Sequence, residues 1–192
     1  MSILKNLFAL IGFLCVIAGV VFGIRAVNVL DRFDSGAVAV YQELVENILE
    51  TRNAAEATAW KVRVEEGLTP EDVEQSMKVV ANELNISNVG ELPLYKDVEA
   101  KSGESYRFVK IYMFCNSLTA ARMIDYSDAF SAYLPCRITL VEDKQGQLWL
   151  YALNMDLMIH GGEPLPPELK EEALHVKKVI LEIMRRGAIG DF

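Results

Sequence analysis

Residues 134–154 read LPCRITLVEDKQGQLWLYALN. Cys136–Val141 and Leu148–Leu153 are short runs of aliphatic, β-branched and aromatic residues, and EDKQGQ between them is polar with one glycine. That pattern predicts two antiparallel strands joined by a hairpin turn. A hairpin sets strand direction, so the neighbouring segments are read against it. Upstream, Tyr106–Cys115 carries Phe108, Ile111 and Phe114 and reads as a strand. Between that strand and the hairpin, NSLTAARMIDYSDAFSAYLP (116–135) reads as a helix. Asn116 or Ser117 caps it, and Pro135 blocks its continuation.

Farther upstream, Trp60, Val62 and Val64 alternate with Lys61, Arg63 and Glu65, as in a half-buried strand. GLTPED (67–72) is a helix start: Thr69 is the N-cap, Pro70 takes the first helical position and Asp72 completes a capping box. Val73, Met77, Val80 and Leu84 then fall on one face. Leu92–Val98 shows no usable period and reads as a loop, and Ser102–Glu104 as a turn. Downstream, LPPELKEEALHVKKVILEIMRRG (165–187) predicts a final helix opened by Pro167 and Glu168. Leu169, Ala173, Val176, Ile180 and Ile183 face the core. Arg185 and Arg186 suit its negative end, and Gly187 terminates it. The order strand, helix, strand, helix, hairpin, helix predicts an α+β fold over residues 59–192. Its sheet is small and mainly antiparallel, with helices packed on one face.

Residues 7–24, LFALIGFLCVIAGVVFGI, contain no charge. As a helix this run spans roughly 27 Å, close to the hydrocarbon thickness of a bilayer. A helix apolar on every face needs burial on all sides, which a chain this small does not supply. A secretory signal has an apolar run of ~7–15 residues and a small-x-small cleavage site. The run here is longer and lacks that site, so it reads as one transmembrane helix in the lipid bilayer, behind a short flank, 1–6. Lys5 lies on one side, and Arg25 and Arg32 lie on the other among Asp31 and Asp34, so the flanking charges nearly balance, and Lys and Arg alone lean toward a cytoplasmic C-terminal domain. A short N-terminus before a signal-like run favours export, which predicts a single-pass chain with a periplasmic or extracytoplasmic domain. Gly19 and Gly23 form a G-x-x-x-G pair that lets two helix backbones approach, as in a homodimer, although glycine is also simply common in such helices. Residues 25–58 form a juxtamembrane segment. Ala37, Tyr41, Leu44 and Ile48 recur at helical spacing, with Asp34 or Ser35 as cap. It predicts an amphipathic helix packed on the domain or on a second copy, or else a stalk.

The formal net charge of −8 repels phosphate backbones, and Lys and Arg form no stripe, so no nucleic acid partner is expected. Three cysteines are too few for a disulfide framework. Cys115 and Cys136 are the two able to pair, and buried free thiols are an equal reading.

The chemistry-bearing stretch is NMDLMIHGG (154–162). Read as a strand running into a glycine turn, it puts Met158 and His160 on one face and Met155 on the other. Cys115 ends one strand and Cys136 begins another. Cys115, Cys136, Met158 and His160 are therefore a candidate soft-metal or haem set, with copper(I) or haem iron as the fitting species. No C-x-x-C-H, C-x-x-C or H-x-x-x-H motif accompanies it. A packed methionine and a hydrogen-bonded histidine beside a turn explain the same residues. The chain has no G-x-S-x-G and no glycine-rich phosphate loop. Glu142 and Asp143 read as turn residues, and Glu71, Asp72 and Glu74 as residues of the helix start. A thiol enzyme using Cys115 or Cys136 with His160 as base is the remaining catalytic reading. The leading reading is a non-enzymatic module that binds a small ligand or a protein and acts as a homodimer. The soft-metal or haem protein is the alternative.

FCNSLTAARMI followed by LPCRITLVEDKQGQLWLYALN resembles the bacterial domain-of-unknown-function 302 family. The resemblance rests on Cys115–Asn116, Ala120–Ala121, Leu134–Pro135–Cys136–Arg137 and Glu142–Asp143, with EEGLTPEDVEQSMK similar to the family's beginning. It covers roughly Trp60 to Leu157. Ser117 stands where many members have proline. The apolar N-terminus and an ending like GAIGDF are similar to a subset of members in sulfur-metabolising bacteria. The resemblance implies an α+β fold and a tendency to homodimerise. It carries no established activity and therefore no catalytic residue.

Overall fold

The computed structural model describes residues 2–191. Met1 and Phe192, the outer ends of the expected 1–6 flank and 59–192 domain, lie outside the described residues, as does the side chain of Lys5. Helix α1 runs from Ser2 to Leu30, past the expected boundary at residue 24. No glycine or proline follows Gly23 until Gly36, so nothing in the backbone stops the helix where the first charge appears. Within it, Asn6–Leu30 has a mean hydropathy of 2.8 and buries nothing against the rest of the chain, which is long and apolar enough to cross a membrane.

After a bend, α2 (Ala37–Thr51) and the short α3 (Ala54–Ala57) lead into β1 (Ala59–Arg63). Next come α4 (Pro70–Glu83), β2 (Ser87–Leu92), α5 (Leu94–Ser102) and β3 (Val109–Cys115). Helix α6 (Ser117–Tyr126) and a 3-10 turn (Asp128–Tyr133) precede β4 (Cys136–Glu142) and β5 (Leu148–Leu153). Helices α7 (Asp156–His160) and α8 (Pro167–Ala188) close the chain. The sheet order is β1-β5-β4-β3-β2, and every neighbouring pair is antiparallel.

The register explains the core. Trp60, Ala152, Ile138 and Tyr112 lie opposite one another, as do Val62, Leu150 and Leu140. Residues two apart share a face, so this face is the buried one. Against it pack α4, through Val73, Met77 and Val80, and α8, through Ala173, Val176, Ile180 and Ile183. The expected capping box is present: Thr69 Oγ1 accepts from the Asp72 N–H, and the Asp72 carboxylate accepts from the Thr69 N–H at 2.9 Å.

Four expectations are corrected. Helix α5 replaces the expected loop at 92–98, and β2 just before it is a strand that was not expected. Propensity there is weak, and β2 is held by pairing with β3 through a bulge at Asn88–Gly90. The helix after Cys115 ends at Tyr126, before the 3-10 turn, rather than at Pro135. Helix α8 runs through Gly187, which is buried against Met77, and the left-handed glycine is Gly190 (φ 66°). Residues 156–160 are a helical turn, not a strand exit. Asn154 Oδ1 accepts from the Asp156 N–H at 2.8 Å and turns the chain out of the sheet.

Candidate functional site

Cys115 is the last residue of β3, and Asn116 starts the next helix at once. Its Oδ1 accepts from the N–H groups of Leu118 and Thr119, each at 3.2 Å. This cap swings α6 over the end of the sheet, so Thr119, Ala120 and Met123 face back toward Phe114 and Cys136, which are opposed across β3 and β4. The 3-10 turn adds Phe130 and Tyr133, and α8 adds Ala173, Val176 and Ile180. Met155, which precedes α7 in helical backbone conformation, and Met158 within it are three apart and therefore on one side of a helical turn. Together these groups line a partly open apolar cavity of about 50 Å³, which Arg137 and Leu153 also border.

Three of the four expected soft-ligand residues, Cys115, Cys136 and Met158, line this cavity. Met155, which strand geometry would turn away, lines it as well, because the segment is helical. Met123 adds a third thioether that sequence spacing did not single out. Both cysteines are free thiols. Burial pushes the Cys136 thiol up to about 11, helped by the nearby Cys115. Burial also raises Cys115, partly offset by a hydrogen bond with Ser117. Both groups are therefore protonated at neutral pH and weakly nucleophilic.

His160 sits elsewhere. Its Nδ1 is 2.8 Å from Asp34 Oδ1, in the bend between α1 and α2. Asp34 is only 4% exposed, and Lys170 Nζ also donates to its carboxylate. The Gly36 N–H donates to Asp34 Oδ1 at 2.9 Å, and the Asp34 N–H to Gly162 O at 2.8 Å. Burial alone would raise this carboxyl, but the bonds from Lys170, Gly36 and His160 outweigh it and hold it well below the usual carboxylate range. Tyr41 on α2 donates to Gly161 O at 2.6 Å. The segment from the α1–α2 bend into α2 is thus clamped to the loop between α7 and α8. Asp34 was expected as a helix cap, but it binds across 126 residues, a partnership without any local signal. Among the described residues, no three His, Cys, Asp or Glu side chains are grouped to hold a metal ion.

Residues 60–186 match the family described as domain of unknown function DUF302. The chain belongs to the DUF302 family. A crystal structure of an uncharacterised conserved DUF302 protein from Bacillus stearothermophilus is similar at a TM-score of 0.55 and 16% identity. The match covers 67% of this chain and 97% of that one. At that identity the likeness shows the fold. No curated protein matches the chain. The DUF302 match contains the sheet except Ala59, and every cavity-lining residue, whereas α1, α2 and Asp34 precede it.

Proposed function

We propose that this DUF302 chain is a bilayer-tethered, non-enzymatic binding module whose small ligand occupies the apolar cavity. The carrying observation is the cavity itself: a space of about 50 Å³ lined by aliphatic, aromatic and sulfur side chains at the end of the sheet. Cores usually leave no such void, and dry apolar cavities bind small apolar guests. The raised thiols and the engagement of His160 by Asp34 favour binding over thiol catalysis. The direct test is xenon binding to the full chain in nanodiscs, followed by the xenon resonance. A saturable site lost in Ala120→Phe supports the reading, and a signal without saturation refutes it.

The module acts as a homodimer on the extracytoplasmic side. The sheet face opposite the helices carries Ile111, Thr139 and Tyr151 in one row and Val141 beside Trp149 in another, all half-buried within one chain. Gly19 and Gly23 are open, with nothing within 4 Å of a Cβ placed there. Subunit counting by single-molecule photobleaching in native membranes checks the dimer, and single-step bleaching throughout would sink it.

A second reading, a soft-metal site, is favoured by the gathering of Cys115, Cys136, Met123, Met155 and Met158 around one cavity. Copper(I) is the fitting species, since haem needs far more room than about 50 Å³. Competition with a copper(I) chelator tests it: no transfer of copper to the protein at micromolar chelator would exclude it.

A further inference from the structure

We propose, on the reading of α1 as a membrane span, that the outer face of α2 beds into a zwitterionic headgroup layer, so that the fold lies against the lipid surface.

Helix α2 is apolar over about half its circumference, taking roughly 100° per residue. Ala37, Val40 and Leu44 form one edge of that arc; Ala37 is buried and the other two are half-buried. Val40 and Leu44 line a cleft shared with Leu153 and Leu157, which is how α2 meets the rest of the fold. Val38, Val45, Ile48 and Leu49 form the other edge and are exposed, Val45 at 54% and Leu49 at 73%. Glu43, Glu46 and Glu50 fall on the remaining side of the helix. A surface helix packed on one side needs an apolar stripe on that side only. Here the stripe continues well past the packed edge.

Continuity with α1 supplies the occupant. The exposed edge runs into an open cleft of about 660 Å³ lined by Val29, Leu30, Phe33, Val38, Tyr41 and Val45, with Gln42 and Glu46 as polar neighbours. Val29 and Leu30 are the last residues of α1. In a bilayer, the uncharged run 7–24 already fills the hydrocarbon, and Arg25–Leu30 extends roughly 9 Å farther, about the depth of the headgroups. The cleft therefore opens at the headgroup level, and one apolar surface passes from the end of α1 onto α2. The bonds of Asp34 to His160 and of Tyr41 to Gly161 O fix the direction in which α2 presents that surface. A helix with one apolar and one charged face lies in the plane of the interface. The charge selects the lipid: Ala37–Thr51 holds three glutamates and no Lys or Arg. Apolar insertion supplies the attraction, and anionic headgroups oppose it.

The test uses the full chain in phosphatidylcholine nanodiscs containing a phospholipid with a diazirine high in one acyl chain. Irradiation and fragment-level mass spectrometry locate the adducts. Adducts are expected in α1 and at Val38, Val45 and Leu49, with Glu43 and Glu50 labelled about tenfold less. The double variant Val45→Glu, Leu49→Glu changes only exposed positions and should cut labelling of α2 by about tenfold while α1 keeps its own. In the unmodified chain, exchanging about half of the phosphatidylcholine for phosphatidylglycerol should lower α2 labelling several-fold, and high salt should restore it. Equal labelling around α2 overturns the inference, and labelling unchanged by phosphatidylglycerol overturns the choice of lipid. Adducts confined to α1 remove the α2 contact and leave the span standing, whereas no adducts in either helix remove both. A photo-crosslinker at position 45 that joins two chains, with α2 free of lipid adducts, assigns the face to a second copy and overturns the inference.

Discussion

Asp34 shows how one side chain ties the bend between α1 and α2 to the rest of the fold. Its carboxylate is buried, and it accepts from Lys170, His160 and the Gly36 N–H. A hydrogen bond to a charged group is worth roughly 1.5–3 kcal/mol. Asp34→Asn removes the charge while keeping the shape. We expect amide exchange in α2 to speed up by about tenfold or more while the sheet stays protected; unchanged exchange would show that apolar contacts alone hold α2. Cys136 gives a second prediction at this scale. With its thiol pushed up to about 11, alkylation should be slow at neutral pH and rise steadily toward that value. Fast labelling at pH 7 would mean an open, activated thiol. Neither environment was legible locally. Asp34 looked like a cap because it stands just before a helical repeat, and Cys136 stood out as a candidate ligand or thiol with nothing local to show that it is buried. Partners distant in sequence made one a buried anchor and the other part of a cavity wall.

At the scale of elements, α4, α8 and the β2–β3 edge carry the testable packing. A Cβ on Gly187 would lie 2.6 Å from Met77 Cγ, in the contact between α8 and α4. Alanine in place of a helical glycine gains about 1 kcal/mol from propensity. Overpacking costs about 1–3 kcal/mol, and Met77 is fully buried, so the clash should win. Gly187→Ala should lower the thermal midpoint, and a raised midpoint would show that Met77 yields. At the sheet edge, Glu91 bridges Lys78 at 2.6 Å and Lys110 at 2.7 Å, and Glu74 meets the same two lysines. Burial would raise Glu91, but Lys110, Lys78 and Asn88 bring it down to about 2. A carboxylate depressed in the folded chain stabilises fully above its unfolded pKa of about 4.3 and loses that contribution as pH falls toward 2. Stability of the α+β fold should therefore fall between about pH 5 and 2, and Glu91→Gln should flatten that slope. An unchanged slope would place the acid sensitivity elsewhere. The α4 capping box was readable because it lies within a few residues, whereas β2 was not, because its pairing partner supplies the order.

For the whole molecule, the first question is whether α1 remains attached. Carbonate washing should leave the full-length chain in the membrane pellet; a shortened, soluble chain beginning after the apolar run would identify a cleaved signal instead. The sequence by itself determined the apolar helix, the hairpin, the capping box and the core face of α8. Each follows from hydrophobic period or local hydrogen bonding, which neighbouring residues specify. It also determined the α+β class, because a hairpin among alternating helices leaves few ways to bury one face of a sheet. Which residues meet is set by the folded chain alone. Helical rather than strand geometry at 156–160 sent Met155 and Met158 into the cavity with Cys115 and Cys136, and turned His160 to Asp34. The physical reason is distance along the chain. Each of these contacts is made by segments that only the folded sheet and α8 bring together, and no short-range pattern records them.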